Sequence, residues 1–350
     1  MSLFPLRRWP PGIGAALAAA VLFGAAAPLA KLLLAQTSPW LMAGLLYAGS
    51  GLGLALVRGL WRAPAARLAP QEWPWLIGAI VSGGVIGPVL LMVGLSGMPA
   101  SGAALLLNAE GVLTAALAWW VFRENVDRRL ALGMLAIVAG AVVLSWPARH
   151  DPAPAWPALA VLAACLAWAV DNNLTRKVAL ADASWIAMVK GLAAGAVNLA
   201  LASWQGAVWP PLPVALAAMA LGWVAYGISL TLFVQALRHL GTARAGAYFS
   251  VAPFFGAALA VPLLGEPLTA PLLLAAALMG LGVWLHVSER HEHFHVHEAL
   301  EHAHEHEHDE HHRHHAPGEP VPRRHTHWHR HEPLVHTHPH YPDEHHRHAH

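Results

Sequence analysis

Histidine dominates the last part of the sequence, in a pattern that suits metal binding. Residues 286–350 contain 24 of the 26 histidines, interleaved with 12 Asp and Glu residues. Imidazole is a preferred ligand of borderline divalent ions such as nickel, cobalt, zinc and copper(II). We therefore predict that the segment 288–350 binds a divalent transition metal (Ni, Co or Zn), and that no other cofactor is required. The candidate ligands are His291, His293, His295, His297, His302, His304, His306, His308, His311 and His312.

The same segment has a second interpretation. Its low apolar content and its prolines predict disorder when no metal is bound. Histidines with a pKa of about 6.5 gain charge on mild acidification, so a pH-sensitive solubilising tail is an alternative to a metal-binding one. The Irving–Williams order also means that imidazoles alone do not select nickel over zinc or copper.

A second set of polar side chains lies inside long apolar stretches. Glu110, Asp171 and Lys190 are charged residues among Ala, Leu, Gly and Val. Charges at membrane depth are energetically expensive and mark ion pathways or proton relays. Two carboxylates with neighbouring amide oxygens can line a cation path, and a carboxylate can take up and release a proton. The predicted transport path consists of Asn108, Glu110, Asp171, Asn172, Asn173, Lys190 and Asn198.

Structural roles compete with these assignments. Asp171 lies five residues before Arg176 and can be a helix-end residue, salt-bridged near the membrane surface. Lys190 can neutralise one of the carboxylates or extend its ammonium group to the interface. Glu124 and Glu266 come at the ends of their apolar stretches, where gating or packing is a better interpretation than ligation.

Membrane-spanning helices are the elements that must position these residues. Hydrophobic residues make up 56% of the chain and charged residues only 12%, too few charges to cover a soluble protein. Continuous apolar runs recur at about the ~20 residues that a helix needs to cross the bilayer, without the alternation of barrel strands. We predict ten spans, at residues 13–34, 40–60, 74–96, 100–122, 129–146, 156–175, 183–204, 213–237, 243–264 and 270–287.

The distribution of arginine and lysine predicts the orientation. If the N-terminal residues 1–12 are inside, the cytoplasmic breaks between spans contain twelve Arg and Lys, whereas the opposite breaks contain only Lys31 and Arg149. This is a clear positive-inside bias. We therefore expect a multi-pass protein of the cell (inner or plasma) membrane with both termini, and hence the tail, in the cytoplasm.

The sequence also contains an internal repeat. A shift of 142 residues aligns Glu124 with Glu266, each preceded by an Ala-Ala-Leu-Ala block, and a shift of 145 aligns Lys31 with Arg176. Each half then holds five helices, and an odd number inverts the second half relative to the first. Inverted repeats place a substrate site between the halves, near the middle of the membrane. The predicted halves are residues 13–146 and 156–287.

Two stretches of the sequence carry a family resemblance. They are "GLSGMPASGAALLLNAEGVLTAALAWWVFREN" and "ALRHLGTARAGAYFSVAPFFGAALAVPLLGEPLT", the second with Pro253 and a Gly-Glu-Pro ending at Pro267. They resemble the EamA repeat of the drug/metabolite transporter superfamily, and the resemblance extends over about residues 13–287. It implies an all-α integral membrane fold of ten helices and a secondary carrier, often an exporter. The first stretch departs from the proline pattern at Glu110-Gly111.

Three functions follow from these patterns. The leading prediction is a proton-coupled exporter of divalent transition-metal ions, nickel or cobalt first, whose tail captures cytoplasmic metal. The second is an exporter of amino acids, metabolites or drugs whose tail buffers or senses metal. The third, a metal store without transport activity, requires far fewer spans. No nucleophile–base pairing or phosphate-binding loop in the sequence indicates an enzyme. The predicted partners are the lipid bilayer and a small-molecule or metal-ion substrate, not nucleic acid; pairing into a homodimer stays open.

Overall fold

Helices form the greater part of the protein in the computed structural model. It describes residues 12–63, 68–122, 128–145, 155–178, 182–233, 235–236 and 248–287, and in the tail 292–297, 300–306, 325–331 and 334–339. The chain divides into two units, Met1–Glu289 and Arg290–His350. The described helices belong to the first unit and the described strands to the second.

The helices of the first unit are apolar along most of their length. In chain order they are α1 (Ile13–Gly24), α2 (Ala26–Leu34), α3 (Pro39–Leu60), α4 (Trp73–Ala79), α5 (Gly87–Gly97), α6 (Ala100–Leu106), α7 (Ala109–Phe122), α8 (Arg128–Ser145), α9 (Trp156–Thr175), α10 (Ala183–Trp204), α11 (Leu212–Gly222), α12 (Ala252–Leu264) and α13 (Ala270–Val287). Two π-helical segments, Ile80–Ile86 and Trp223–Ile228, continue α4 and α11. A helix satisfies its own backbone polar groups, which is the requirement for a chain in lipid.

Several of these helices are long enough to span a membrane. Within the described residues there are seven such stretches: Ile13–Leu34, Pro39–Leu60, Pro70–Gly97, Ala100–Leu117, Trp156–Thr175, Ser184–Trp204 and Leu212–Phe233. Shorter apolar helices, Ala131–Ser145, Ala252–Leu264 and Ala270–Leu285, lie where the sequence predicts three further spans. The chain is thus a multi-pass helical membrane protein, while the total of ten spans and the inversion of the halves stay predictions.

Small residues bring the backbones of α3 and α10 into direct contact. A Cβ atom added to Gly51 would lie 2.4 Å from the backbone nitrogen of Leu192, and one added to Gly195 would lie 2.6 Å from that of Ala48. No larger side chain fits at either position without moving a backbone. Close approach through glycine is the usual way in which helices associate in lipid, where hydrophobic burial supplies no driving force.

The π-helical segment Ile80–Ile86 has an origin in the sequence. Pro88 has no N–H, so it cannot donate to the carbonyl of Gly84 four residues earlier. The N–H of Gly87 bonds five residues back rather than four, and this leaves the carbonyl of Gly83 without an α-helical donor. Both carbonyls can therefore accept hydrogen bonds from side chains of neighbouring helices.

The tail contains strands where the sequence predicts disorder. Strand β1 (Glu292–His297) pairs with β4 (Leu334–Pro339), and β2 (Leu300–His306) pairs with β3 (His325–His331), both antiparallel. Polarity and proline content predict disorder. Histidine at every second position is, however, also the period of a β-strand.

Candidate functional site

A buried ion pair lies between α9 and α10. The Lys190 Nζ donates to Asp171 Oδ1 at 2.5 Å and to Oδ2 at 2.6 Å. The Thr175 hydroxyl, one turn along α9, donates to Asp171 Oδ1 at 2.8 Å. Asp171 is only 5% exposed. Lys190 thus neutralises Asp171, which is one of the two roles predicted for this lysine. The pair has no net charge.

The second carboxylate of the predicted path has a neutral partner. The Asn172 side-chain amide donates to Glu110 Oε1 at 2.9 Å, across the contact between α7 and α9. The Asn173 amide donates to the backbone carbonyl of Thr114 at 3.3 Å, which fixes the same contact one turn further along α7. Among the described residues, no ion pair includes Glu110. A carboxyl group that bonds to an amide keeps its hydrogen bond in either protonation state, since the amide accepts as well as donates.

The freed carbonyl of Gly83 connects the polar residues to the core. It accepts hydrogen bonds from the Tyr47 hydroxyl at 2.9 Å and from Trp168 Nε1 at 2.8 Å. A Cβ atom on Gly83 would lie 1.9 Å from Asp171 Oδ2, so only glycine lets α9 approach this closely. The π-helical segment therefore positions both Trp168 and Asp171.

An apolar cavity lies beside these residues. Trp168, one turn before Asp171 on α9, and Leu107, one turn before Glu110, both line it. Both halves of the helical unit contribute to its wall. The lining residues are Phe23, Gly24, Ala26, Ala27, Leu91, Ala104, Leu107, Trp168, Tyr226 and Pro253. Its volume is about 20 Å³, enough for a single water molecule, so a larger solute can enter only when the surrounding helices move apart.

Asn108 and Asn198 have hydrogen bonds outside this cluster. The Asn108 amide donates to the carbonyl of Leu105 at 2.9 Å, at the break between α6 and α7, and approaches the sulfur of Met279. The Asn198 amide donates to the carbonyl of Gly84 at 3.2 Å. Each asparagine thus satisfies a carbonyl at a helix irregularity. The structure brings the other five predicted path residues into two groups: Asp171 with Lys190, between α9 and α10, and Asn172 and Asn173 of α9 against the segment of α7 that contains Glu110.

Sequence reasoning missed the aromatic residues of the site. Tyr47, Trp168 and Tyr226 lie in the middle of apolar stretches, whereas tryptophans of the interfacial belt lie at span ends. Their position away from the span ends was a sequence signal that could have identified them. The π-helical segment also had a sequence signal, the pair Gly83-Gly84 followed closely by Pro88.

The predicted metal ligands lie in the tail. His293, His295 and His297 are in β1, and His302, His304 and His306 are in β2, while His291, His308, His311 and His312 lie outside the described residues. The strand register sets His302 opposite His329 and His304 opposite His327. Among side chains that the structure describes, no group of three or more His, Cys, Asp or Glu is placed to hold a metal ion. Metal binding by the tail stays a prediction.

Comparison with known proteins identifies the helical unit. Residues 10–146 and 155–288 each match the EamA-like transporter family. An uncharacterized transporter of Methanothermobacter thermautotrophicus is 27% identical over 289 residues, which cover 76% of this chain and 83% of that protein. A probable amino-acid metabolite efflux pump of Salmonella typhimurium is 27% identical over 206 residues, 55% of this chain and 68% of the pump.

A solved structure has a similar fold. It superposes with a TM-score of 0.58 over 78% of this chain and 95% of its own, at 22% sequence identity. At this identity the likeness concerns the fold alone. The family matches one segment in each half of the chain, and both segments contribute residues to the cavity wall.

Proposed function

Because this chain belongs to the EamA-like transporter family and is therefore a membrane transporter, we propose that it exports a small organic solute in exchange for protons. The apolar part of the solute occupies the cavity around Trp168, and its polar groups meet the cluster on α9. The observation that carries the proposal is an aromatic, aliphatic cavity lined by Trp168, which lies one turn along α9 from the ion-paired Asp171. A probable amino-acid metabolite efflux pump among the relatives supports an amino-acid-like solute.

The lining of the cavity favours an organic solute over a bare ion. A divalent ion needs several oxygen, nitrogen or sulfur ligands to replace its water shell. The lining consists mainly of carbon atoms of Phe, Trp, Leu, Ala and Pro side chains. Burial of apolar area contributes about 25 cal/mol per Å², which gives an apolar solute its affinity here and gives an ion none.

The ion pair between Asp171 and Lys190 suits a zwitterionic solute. An ammonium group can take the place of Lys190 on the carboxylate, and a carboxylate can take the place of Asp171 on the ammonium. This exchange of partners leaves the net charge of the site unchanged, so it avoids the desolvation of an isolated charge. A solute with a single charge leaves one member of the pair without a partner.

Glu110 is the proposed proton carrier. It has an amide partner rather than a cation, so proton uptake breaks no ion pair. Its half-buried position leaves a route for the proton, whereas Asp171 is enclosed. Alternation of one carboxyl group between two protonation states is sufficient to couple solute movement to a proton gradient.

Counterflow in proteoliposomes tests the role of the cavity. Vesicles are loaded with unlabelled amino acids, and uptake of labelled leucine, phenylalanine and methionine is followed. We expect uptake of at least one of them, and we expect Trp168→Ala to reduce it at least tenfold. The matched control is Trp204→Ala, which removes a tryptophan that is 84% exposed and should leave uptake unchanged. Equal uptake by both variants and the wild type would exclude the cavity as the binding site.

A second candidate function keeps the metal ion as cargo. Its support is the tail, where 24 histidines in residues 286–350 offer imidazole ligands on the side that the charge bias predicts to be cytoplasmic. Uptake of labelled nickel, cobalt or zinc into inverted vesicles, with and without residues 288–350, tests it. Metal uptake that a proton gradient drives would favour this candidate; uptake of organic solutes without any metal uptake would eliminate it.

A further inference from the structure

A carboxylate from the second family segment caps a helix of the first. Glu266 lies in the turn between α12 and α13. Its Oε1 accepts a hydrogen bond from the backbone N–H of Ala100 at 2.6 Å, and its Oε2 accepts one from Ser101 at 2.9 Å. These are the first residues of α6, and their amides have no partner within the helix. The bonds join positions about 165 residues apart, so they are tertiary contacts between the two family segments.

Lys31 binds the carbonyl end of α5, the helix that precedes α6. Its Nζ donates to the carbonyl of Met98 at 2.9 Å and also to the carbonyl of Leu95, at the end of α5. A cation at the carbonyl end of one helix and an anion at the amide end of the next both complement the helix dipoles. The turn between α5 and α6 is thus held by two side chains of opposite charge, one from each family segment.

Close backbone contacts between the two family segments extend from the turn between α5 and α6 to the cavity. A Cβ atom on Gly24 would lie 2.2 Å from the carbonyl oxygen of Ala252, and one on Gly256 would lie 3.0 Å from the Cβ of Ala104. Gly24 and Ala104 also line the cavity. Helix α12 is therefore pressed against α1 and α6 from the level of the cavity outward. The cavity cannot open at this end unless α12 separates from α6.

We propose that Glu266 is the latch of a gate at this end of the transporter, with Lys31 holding the opposite side of the same turn. Separation of α12 from α6 breaks both bonds of the Glu266 carboxylate, and water then takes their place. The bonds form again when the end closes. The latch consists of bonds within the transporter, between a charged side chain and backbone amides. It therefore does not depend on the chemical nature of the cargo. The charge bias of the sequence places this gate at the outer face.

The inference rests on the transport function but not on the identity of the cargo, and the test therefore measures access to the cavity in the absence of any solute. The reporter is Leu107→Cys, at the cavity wall, in a Cys165→Ala background that removes the single native cysteine. The readout is the rate of labelling by a membrane-impermeant maleimide. Right-side-out and inside-out vesicles are compared.

We expect Glu266→Ala to raise the labelling rate about tenfold in right-side-out vesicles, a typical size for the coupling between a closed and an open state. Glu266→Gln keeps one acceptor oxygen and the side-chain volume, so its increase should be smaller. The matched control is Glu72→Ala. Glu72 also accepts a hydrogen bond from a backbone amide, that of Ala69 at 2.7 Å, but within its own turn. Its loss should leave the rate unchanged.

Two outcomes would overturn the latch. One is an unchanged labelling rate in both Glu266 variants, with each eluting as a folded species in detergent. The other is an equal increase in the Glu72 control, which would assign the effect to general loosening of the helices. If Glu266→Ala does not fold, Glu266→Gln alone decides between the latch and a structural cap. Failure of the amino-acid counterflow leaves this result unaffected, because labelling requires no transported solute.

Discussion

Asp171 and Glu110 are both carboxylates within apolar helices, yet they differ in exposure and in hydrogen-bond partner. Asp171 is 5% exposed and both of its oxygens bond to the Lys190 ammonium group. Glu110 is half-buried and bonds to the neutral amide of Asn172. Removal of either member of a buried ion pair leaves an uncompensated charge in a medium of low dielectric constant, whereas the bond between Glu110 and Asn172 joins a carboxyl group to a neutral amide.

The difference separates two tasks that the sequence placed in one group. The charged pair is suited to hold the ionic groups of a solute, and Glu110 is suited to exchange a proton. Position in the sequence does not separate these tasks, because both carboxylates lie within apolar stretches, Asp171 in the later part of its stretch. The partner of each carboxylate does, and it depends on how the neighbouring helices are rotated.

Removal of the cation should have the largest effect. Lys190→Met leaves the Asp171 carboxylate buried without a cation, and loss of one member of a buried ion pair costs about 3 kcal/mol or more. We expect a marked fall in the thermal unfolding temperature of the purified protein. The double variant with Asp171→Asn removes both charges and should recover most of the loss. Equal stability of the single and double variants would mean that the pair is already solvated.

Glu110→Gln should abolish the coupling of solute transport to the proton gradient while the fold remains intact. Glutamine preserves the hydrogen bond to Asn172 but cannot take up a proton. Solute counterflow should therefore persist, while uptake driven by a pH gradient should fall to background. Asp171→Asn provides the contrast, because it should impair both activities. Gradient-driven uptake at the wild-type rate in Glu110→Gln would remove this residue from the coupling mechanism.

Gly83→Ala tests the element that sets α9 beside the site. The added Cβ would lie 1.9 Å from Asp171 Oδ2, so the ion pair or the π-helical segment must shift. Overpacking of this kind typically costs about 1–3 kcal/mol, and we expect lower stability together with reduced transport. The matched control is Gly59→Ala on α3, which meets nothing within 4 Å. Similar losses in both variants would indicate a general effect of alanine in these helices.

Asp182 extends the comparison to a carboxylate at the N-terminus of a helix. It caps α10 through the backbone N–H of Ser184 at 2.8 Å and pairs with Arg58 at 2.9 Å. Asp182→Ala should lower stability by about 1 kcal/mol, the usual value of a helix cap, without changing transport. Thermal unfolding and counterflow measure the two effects. A fall in transport comparable to that of Gly83→Ala would place Asp182 in the mechanism.

The effect of Asp182 should not vary over ordinary pH. Partial burial raises the pKa of Asp182, but hydrogen bonds from Ser184 and Arg58 outweigh burial and hold it below its usual value. A carboxyl group with a lowered pKa contributes fully above its unfolded pKa and loses the contribution as pH falls through the folded value. The difference between the wild type and Asp182→Ala should therefore be equal at pH 6 and pH 8. A difference that grows between these values would contradict the assignment.

Much of the site was accessible from hydropathy alone. Charged and amide residues within apolar stretches indicated Glu110, Asp171, Lys190 and their asparagine neighbours, because such residues need partners in lipid. The pairing was not accessible, since Lys190 was equally able to neutralise either carboxylate. Only the rotation of α9 against α10 decides between them.

The remaining asparagines show a different limit. Asn108 and Asn198 donate hydrogen bonds to carbonyls at helix irregularities. The hydropathy of the sequence does not reveal such irregularities. Glu266 was assigned to gating or packing, and its bonds to α6 are consistent with either role. Its repeat counterpart, Glu124, lies outside the described residues.

The tail illustrates how one pattern can support two structures. Low hydrophobicity predicts disorder, and alternation of histidine with other residues fits a strand. The described strands follow the second signal, with His302 and His304 opposite histidines of β3. Composition does not reveal such pairing, because it depends on the register between distant segments.

In the proposed transport cycle, protons exchange for an organic solute and not for a metal ion. Proteoliposomes that contain the wild-type protein, a pH gradient and an internal pH indicator test it directly. Addition of leucine, phenylalanine or methionine should accelerate collapse of the gradient, and the acceleration should disappear in Glu110→Gln. Nickel, cobalt and zinc salts should have no effect. Collapse of the gradient on addition of a metal ion, with no response to any amino acid, would contradict the account and restore the metal ion as cargo.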